Sequence, residues 1–399
     1  MRHIDLTQVQ RASNETARRI NRDIVLELIR ENQPLSRADL ARRSGLQRST
    51  VSQIVEQLIV EGWVREGSMA NLPRGRRPTM LGLNEEFGVI AADIHPRIAI
   101  LAVVDLNGRL LSRSQVPITS DPEASTRRIN EAMMRMRKSL PRCTIQGIGV
   151  SIPGRVDPDT QRIIFAPNLH WRDFDLRTAI EAKMKLPVKM DNAANACLVA
   201  ELMFGSLDGI QNIVLVTVSE GIGTGIFANG QLVTGNGGRA GEFGHAPLDA
   251  SGPRCACGRR GCWEVFASCR AAVRYYRELQ PKAPSVTFQE LLHLAEEGDP
   301  HAGNALDMQA KQIGRGLGLL IAGLAPGLIL IAGDISAAWH RAGPIIEREA
   351  KRFTVAGEPP RILPTHESEI ARLRGAAALA FQRHRPDLSL TAVPALDSR

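Results

Sequence analysis

The sequence predicts an α/β molecule in two parts, a small winged helix-turn-helix over residues 1–84 and a larger α/β domain over 85–383. Two observations predict this. Helix, turn, helix and two short strands follow one another between Asn21 and Leu83, each closed by its own stop signal. From about Glu85 the texture changes to apolar strand-like runs alternating with helical patterns, the signature of α/β units. The chain has 399 residues, 43% of them hydrophobic, enough for more than one packed core.

The first segment, Asn21–Glu31, places Ile24, Leu28 and Ile29 on one helical face. Ser36 opens a second helix, with Asp39 three residues on in the spacing of a capping box, and Gly45 closes it. A third helix is expected at about Ser49–Glu61, with Val51, Ile54, Val55, Leu58 and Ile59 inward and Gly62 as its stop. Trp63–Gly67 and Thr79–Leu83 read as strands joined by a polar loop over Ser68–Pro78. In the larger domain the strands expected are Val89–Asp93, Ile98–Asp105, Gly147–Ile152, Ile213–Val218, Ile226–Ala228 and Leu328–Ala332. Helices are expected at Thr126–Lys138, Asn195–Phe204, Arg270–Leu279 and Lys311–Leu324, and residues 384–399, rich in proline and polar groups, as a loose tail.

The net charge of +8 is unevenly spread: Met1–Gly82 holds 14 arginines and no lysine against nine acidic residues. A basic first fifth favours an acidic partner. Gly316–Gly333 is uncharged for 18 residues, but Pro326-Gly327 divides it into a buried helix, a turn and a buried strand rather than a membrane span. The start is polar and charged, without a signal peptide, and six unevenly spaced cysteines make no disulfide framework. A reducing, cytoplasmic location without membrane contact is expected.

The third helix opens Gln47-Arg48-Ser49-Thr50-Val51-Ser52-Gln53. In a helix-turn-helix this is the element lodged in the major groove, and Arg48, Ser49, Thr50, Ser52 and Gln53 carry side chains suited to base edges and phosphates. In the following loop, Arg74, Gly75, Arg76 and Arg77 fit a narrow, electronegative minor groove. The partner expected is a double-stranded DNA operator.

With these residues in place, the chain resembles the ROK family of sugar-responsive repressors and sugar kinases, in its repressor branch. Asn21–Asn84, including Leu35-Ser36-Arg37-Ala38-Asp39-Leu40-Ala41 and Gly75-Arg76-Arg77-Pro78, is similar to that branch's DNA-binding domain. Glu85–Phe381 resembles the two-lobed, actin-like (ribonuclease H-like) ROK domain, with a lobe boundary near 195–212. The block from Gly235 to Glu264 carries the resemblance most specifically. In it, His245, Cys255, Cys257 and Cys262 form an H-x9-C-x-C-x4-C cluster, a closed tetrahedral set for structural zinc that matches the family's zinc motif. Cys143, Cys197 and Cys269 lack such spacing and are expected in the core. The resemblance further implies that Glu242, His245 and Glu264, joined by Asn192 and Asn168, hold sugar hydroxyls. Carboxylates and amides suit that task because each can bind a pair of hydroxyls. It also implies a homodimer or homotetramer in which bound sugar favours a closed lobe arrangement and weakens operator binding.

The kinase chemistry of the family is expected to be absent. Where the pattern has a glycine turn for phosphate, this chain has Asp93-Ile94-His95-Pro96-Arg97, and proline lacks the N–H that a phosphate cradle needs. Alignment of Asp191-Asn192-Ala193-Ala194-Asn195-Ala196 with the family motif puts Ala193 in place of the catalytic base. The second phosphate loop reads Ser219-Glu220-Gly221, where Glu220 would repel phosphate; the glycines at 221, 223 and 225 are read as a tight strand turn. The rival readings are an active ROK sugar kinase with a DNA-binding extension and a repressor whose ROK domain answers to a protein partner.

Overall fold

The computed structural model describes residues 14–69, 78–205, 207, 209–355, 357–365 and 368–382. It divides into two compact units. One comprises residues up to Gly88 with the short segments Asp105–Arg109 and Arg142–Thr144, and the other holds the remainder.

The first unit runs α1 (Asn14–Asn32), β1 (Leu35–Ser36), α2 (Arg37–Ser44), α3 (Arg48–Val60), β2 (Val64–Met69) and β3 (Thr79–Leu83). The capping box forms as the spacing requires: Asp39 N–H donates to Ser36 Oγ, and Asp39 Oδ2 accepts from Ser36 N–H. Gly45 takes φ 70°, so the chain turns sharply into α3. Val25, Leu26, Ile29, Leu40, Val51, Val55 and Leu58 bury the inner faces of the three helices. The strands form a sheet in the order β1-β3-β2, so the wing has a third, two-residue strand that hydropathy gave no sign of. α1 begins seven residues before the amphipathic stretch that marked it.

The second unit continues with β4 (Phe87–Ile94), β5 (Ile98–Asp105), β6 (Leu110–Pro117), α4 (Pro122–Ser139), β7 (Thr144–Ile152), β8 (Arg155–Val156), β9 (Ile163–Ala166), β10 (Trp171–Phe174), α5 (Leu176–Met184), β11 (Val188–Asn192) and α6 (Ala193–Phe204). Then come β12 (Ile213–Val218), β13 (Ile222–Ala228), β14 (Gln231–Leu232), α7 (Trp263–Ala267), α8 (Cys269–Leu279), α9 (Phe288–Glu296), α10 (Pro300–Leu324), β15 (Leu328–Ala332), α11 (Trp339–Lys351), β16 (Arg361–Pro364) and α12 (Ser368–Gln382).

Two five-stranded sheets organise these elements, one ordered β11-β7-β4-β5-β6 and the other β14-β13-β12-β15-β16. Counted within each sheet, the order is the same: third, second, first, fourth, fifth. This repeated layout is the two-lobed, actin-like architecture. β12 and β15 show why the apolar runs are continuous. Val214, Val216, Val218, Ile329 and Ile331 face the core built with α8 and α10, whereas Ile213, Leu215, Leu328 and Leu330 face α6 and α12. A parallel pair covered on both faces needs apolar residues at every position. The uncharged stretch 316–333 is the second half of α10, a turn and β15. No helix among the described residues is long and apolar enough to cross a membrane.

α12 is the last described element, yet it packs on α6 and β11. It comes so close that a Cβ on Gly149 of β7 would lie 1.6 Å from the Ala376 carbonyl oxygen. Of the three cysteines expected in the core, Cys197 and Cys269 are buried, but Cys143 is only half-buried, because it lies in the Arg142–Thr144 segment that leads into β7.

Candidate functional site

In the first unit, α3 turns Val51, Ile54, Val55 and Leu58 inward, which leaves Arg48, Ser49 and Gln53 exposed and Thr50 and Ser52 half-buried. Gln47 caps the helix without a side-chain bond to its amides. Arg48 and Ser49 therefore stand at an open helix N-terminus, where free N–H groups and the helix dipole favour phosphate. Arg74, Gly75, Arg76 and Arg77 lie outside the described residues.

In the second unit, a short 3-10 turn carries Glu242 and His245. It lies against β13 so tightly that a Cβ on Gly244 would sit 2.1 Å from the Ile222 carbonyl oxygen. His245 uses its two ring nitrogens in two directions. Nδ1 is 3.5 Å from Cys255 Sγ, and Nε2 is 3.9 Å from Glu242 Oε2. Cys257 and Cys262 bring their sulfurs within 3.7 Å, and the four ligand atoms of His245, Cys255, Cys257 and Cys262 lie within 4.8 Å of one another. Sulfurs about 3.7 Å apart fit a tetrahedral ion with metal–sulfur bonds near 2.3 Å. The group is thus a Cys/His cluster suited to holding a metal. Burial pushes the Cys255 thiol up to about 12, so a metal entering here displaces protons.

Glu264, at the start of α7, is 8% exposed. Its Oε2 accepts from Ile222 N–H at 3.1 Å, and Oε1 lies 3.9 Å from Cys255 Sγ. Glu242, His245 and Glu264 therefore meet around the cluster. Asn168, half-buried in a 3-10 turn after β9, joins them through Arg270 of α8. Arg270 Nη2 donates to Asn168 Oδ1 at 3.3 Å and lies 3.8 Å from Glu264 Oε1. Asn192 has a structural task as well: its Oδ1 caps α6 by accepting from Asn195 N–H. Ala193 is the first residue of that helix. The neighbouring Asp191 is pushed up to about 6 by burial, although its Oδ1 accepts from Asn192 N–H and Asn195 Nδ2.

At both turns read above as altered phosphate loops, an arginine from a distant helix bonds the main chain. At the end of β4, Asp93 bonds His95 Nε2 at 2.7 Å and Ser151 Oγ at 3.1 Å, and Arg372 of α12 places Nη2 2.9 Å from Asp93 Oδ1 and 3.2 Å from the Ile94 carbonyl. Burial alone would raise the Asp93 carboxyl, but Arg372 and His95 hold it below the usual carboxylate range. After β12, Arg270 Nε donates to the Glu220 carbonyl at 2.7 Å. Gly221 lies in that turn, but Gly223 and Gly225 sit inside β13, where α6 packs too close for side chains: a Cβ on Gly225 would be 2.8 Å from the Ala194 carbonyl oxygen. Arg270 and Arg372 are the residues that sequence reasoning missed. Their partners Asn168 and Ile94 lie 102 and 278 positions away, beyond any spacing rule.

The chain thus combines a winged helix with a two-lobed, kinase-type domain that carries a Cys/His cluster beside a group of carboxylates and amides, the make-up of a DNA-binding regulator with a sugar-kinase-like domain. The comparisons agree. Residues 90–383 match the ROK family model, and residues 25–68 match the IclR helix-turn-helix domain. The chain belongs to the ROK family. It is 34% identical over 328 residues to a protein named xylose repressor from Bacillus subtilis, covering 81% of this chain and 84% of that one. Among solved structures, a ROK family transcriptional regulator described as a homologue of E. coli MLC superposes with a TM-score of 0.77, at 24% identity over 94% of this chain and 99% of the other. A ROK family glucokinase from Streptomyces griseus, solved with glucose and AMPPNP, superposes with a TM-score of 0.69 at 29% identity over 74% of this chain and 99% of its own.

Proposed function

We propose that this protein is a sugar-responsive, DNA-binding transcriptional repressor whose ROK domain binds a sugar and does not phosphorylate it. One observation supports the reading: α3 presents an exposed polar face, and in the kinase-like domain arginines of distant helices bond the main chain at both turns read as altered phosphate loops. A sugar held by Glu242, Glu264, Asn168, Asn192 and the Nε2 side of His245 would stabilise one lobe arrangement, and operator affinity would follow that equilibrium. Zinc would sit among His245, Cys255, Cys257 and Cys262 and hold the loop that carries the ligands. With four protein ligands it would leave no position for a reacting water. The repressor would act in the cytoplasm as a homodimer, two recognition helices facing two half-sites, with the 74–77 loops beside the minor groove.

The test has two arms. Operator binding is followed by anisotropy on sequences selected from a randomised library, while D-xylose, other aldoses, amino sugars and their phosphates are added; the relatives named xylose repressor put D-xylose first. One sugar should release the operator. Glu242→Ala should weaken that sugar by about 1.5–3 kcal/mol, as loss of a charged hydrogen bond does, and leave sugar-free operator binding intact. Gln53→Ala should change the preferred base at one position at a cost of about 1–3 kcal/mol. The second arm is a coupled ATP-consumption assay with the same sugars. Turnover there would establish the kinase reading instead.

A further inference from the structure

We propose that Arg270 is the positioning residue of the sugar cleft, fixing which of its groups donate and which accept. The proposal rests on the sugar-site reading above. The guanidinium reaches three segments from the first turn of α8. Nε donates to the Glu220 carbonyl at 2.7 Å, Nη2 donates to Asn168 Oδ1 at 3.3 Å, and Nη2 also lies 3.8 Å from Glu264 Oε1. Asn168 comes from the lobe of β4–β11, whereas Glu220, Glu264 and Arg270 belong to the lobe of β12–β16. One side chain therefore ties the two walls of the cleft together.

The chemistry of the pairing sets polarity. A guanidinium has only donors, so the oxygen of the Asn168 amide must face Arg270 and its NH2 must face away. That NH2 lies beside Gly221: a Cβ there would be 3.9 Å from Asn168 Nδ2 and 2.4 Å from Glu264 Oε2. Gly221 thus leaves open the space between the asparagine and the glutamate. Glu264 in turn has Oε2 held by Ile222 N–H, and its carboxylate oxygens are presented as acceptors. The cleft offers a donor at Asn168 and an acceptor at Glu264, a pair that a hydroxyl-bearing ligand satisfies with one oxygen accepting and one hydroxyl donating. Without Arg270 the Asn168 amide can flip, and it then discriminates weakly between a hydroxyl and its absence.

The experiment is isothermal titration of the full-length protein with D-xylose, D-glucose and the monodeoxy analogues of each. For the wild type, deletion of the hydroxyl that faces Asn168 should weaken binding about tenfold or more, as an unpaired buried polar group does. Arg270→Ala should bind the complete sugar about ten- to hundredfold more weakly, and its penalty for that one deletion should fall below about threefold. Asn168→Ala should behave alike, and the double variant should be no worse than Asn168→Ala alone. Arg270→Lys keeps the charge but lacks the fork that bonds Glu220 and Asn168 together, so it should lose the same discrimination while keeping wild-type thermal unfolding, which separates positioning from folding. Additive effects in the double variant, or an undiminished deletion penalty in Arg270→Lys, would overturn the assignment and leave the sugar site standing. A wild type that binds neither of these sugars, nor any aldose, amino sugar or sugar phosphate of the operator-release panel, would remove the sugar reading and this proposal with it.

Discussion

The turn after β4 and the turn after β12 occupy equivalent places in two sheets of identical strand order, and an arginine bonds the main chain at each, but in different ways. In the first lobe, Arg372 meets the buried carboxylate of Asp93, whose side chain is 4% exposed, and the neighbouring carbonyl and His95 complete the group. In the second lobe, Arg270 is half exposed, bonds a main-chain carbonyl at 2.7 Å and lies at a looser 3.8 Å from the Glu264 carboxylate. The first arrangement is a desolvated ion pair, costly to break because each partner would be left unpaired inside. The second is adjustable, since the guanidinium keeps contact with water and shares its donors between Glu220 and Asn168. On the proposed reading the lobes have separate tasks: the first turn serves stability, and the second stays part of the sugar cleft.

The largest effect should come from breaking the pair in the first lobe. Arg372→Met should destabilise the protein by about 3–5 kcal/mol at neutral pH, read from urea unfolding. The pH dependence fixes the cause. In the wild type the depressed Asp93 carboxyl contributes stability that is present above about pH 4 and lost as pH falls through its folded value. Without Arg372, burial raises that carboxyl, so the variant loses stability as pH rises through the raised value. The gap between the two proteins should therefore narrow toward pH 3, and a gap independent of pH would mean that Arg372 acts by packing alone.

A smaller effect should sharpen the contrast from the other lobe. Cys257→Ser should abolish the metal content, about one ion per chain in the unaltered protein by elemental analysis. It should speed amide exchange over 241–264 about ten- to hundredfold, roughly 1.4–2.8 kcal/mol of local opening, while 93–97 exchanges as before. The smallest effect tests the bond to the main chain. Glu220→Ala keeps the carbonyl that Arg270 uses, so stability should stay within about 0.5 kcal/mol, and a larger loss would show that the carboxylate itself matters.

Local features were legible in the sequence because their causes are local. The Ser36–Asp39 box, the Gly45 turn and the bounds of β5, β12 and β15 follow from propensity and apolar runs within one element. The metal-type cluster was legible because three of its cysteines fall within eight residues. What escaped was of two kinds. β6 alternates half-buried and exposed residues and carries too little apolar signal to stand out, and β1 is two residues long. The arginines that bond the main chain at the turns are ordinary surface-type residues in helical stretches, and their meaning exists only once distant segments meet. The same holds for His245, whose spacing shows a ligand but not the division of work between Nδ1 and Nε2.

The placement of α12 has a consequence for the order in which the molecule comes into being. The helices and strands of the winged helix have all been made at Leu83, but the sheet of the first lobe waits for a helix that begins at Ser368. Gly149 and Gly375 are shaped for that late arrival, each with helix backbone where a side chain would be. Translation proceeds at about 5–20 residues per second, so the interval lasts about 15–60 s. During it a nascent chain owns the elements of a winged helix and no finished sensor. Each newly synthesised molecule is therefore expected to pass through a brief infancy in which its DNA-reading elements exist before the domain that would govern them.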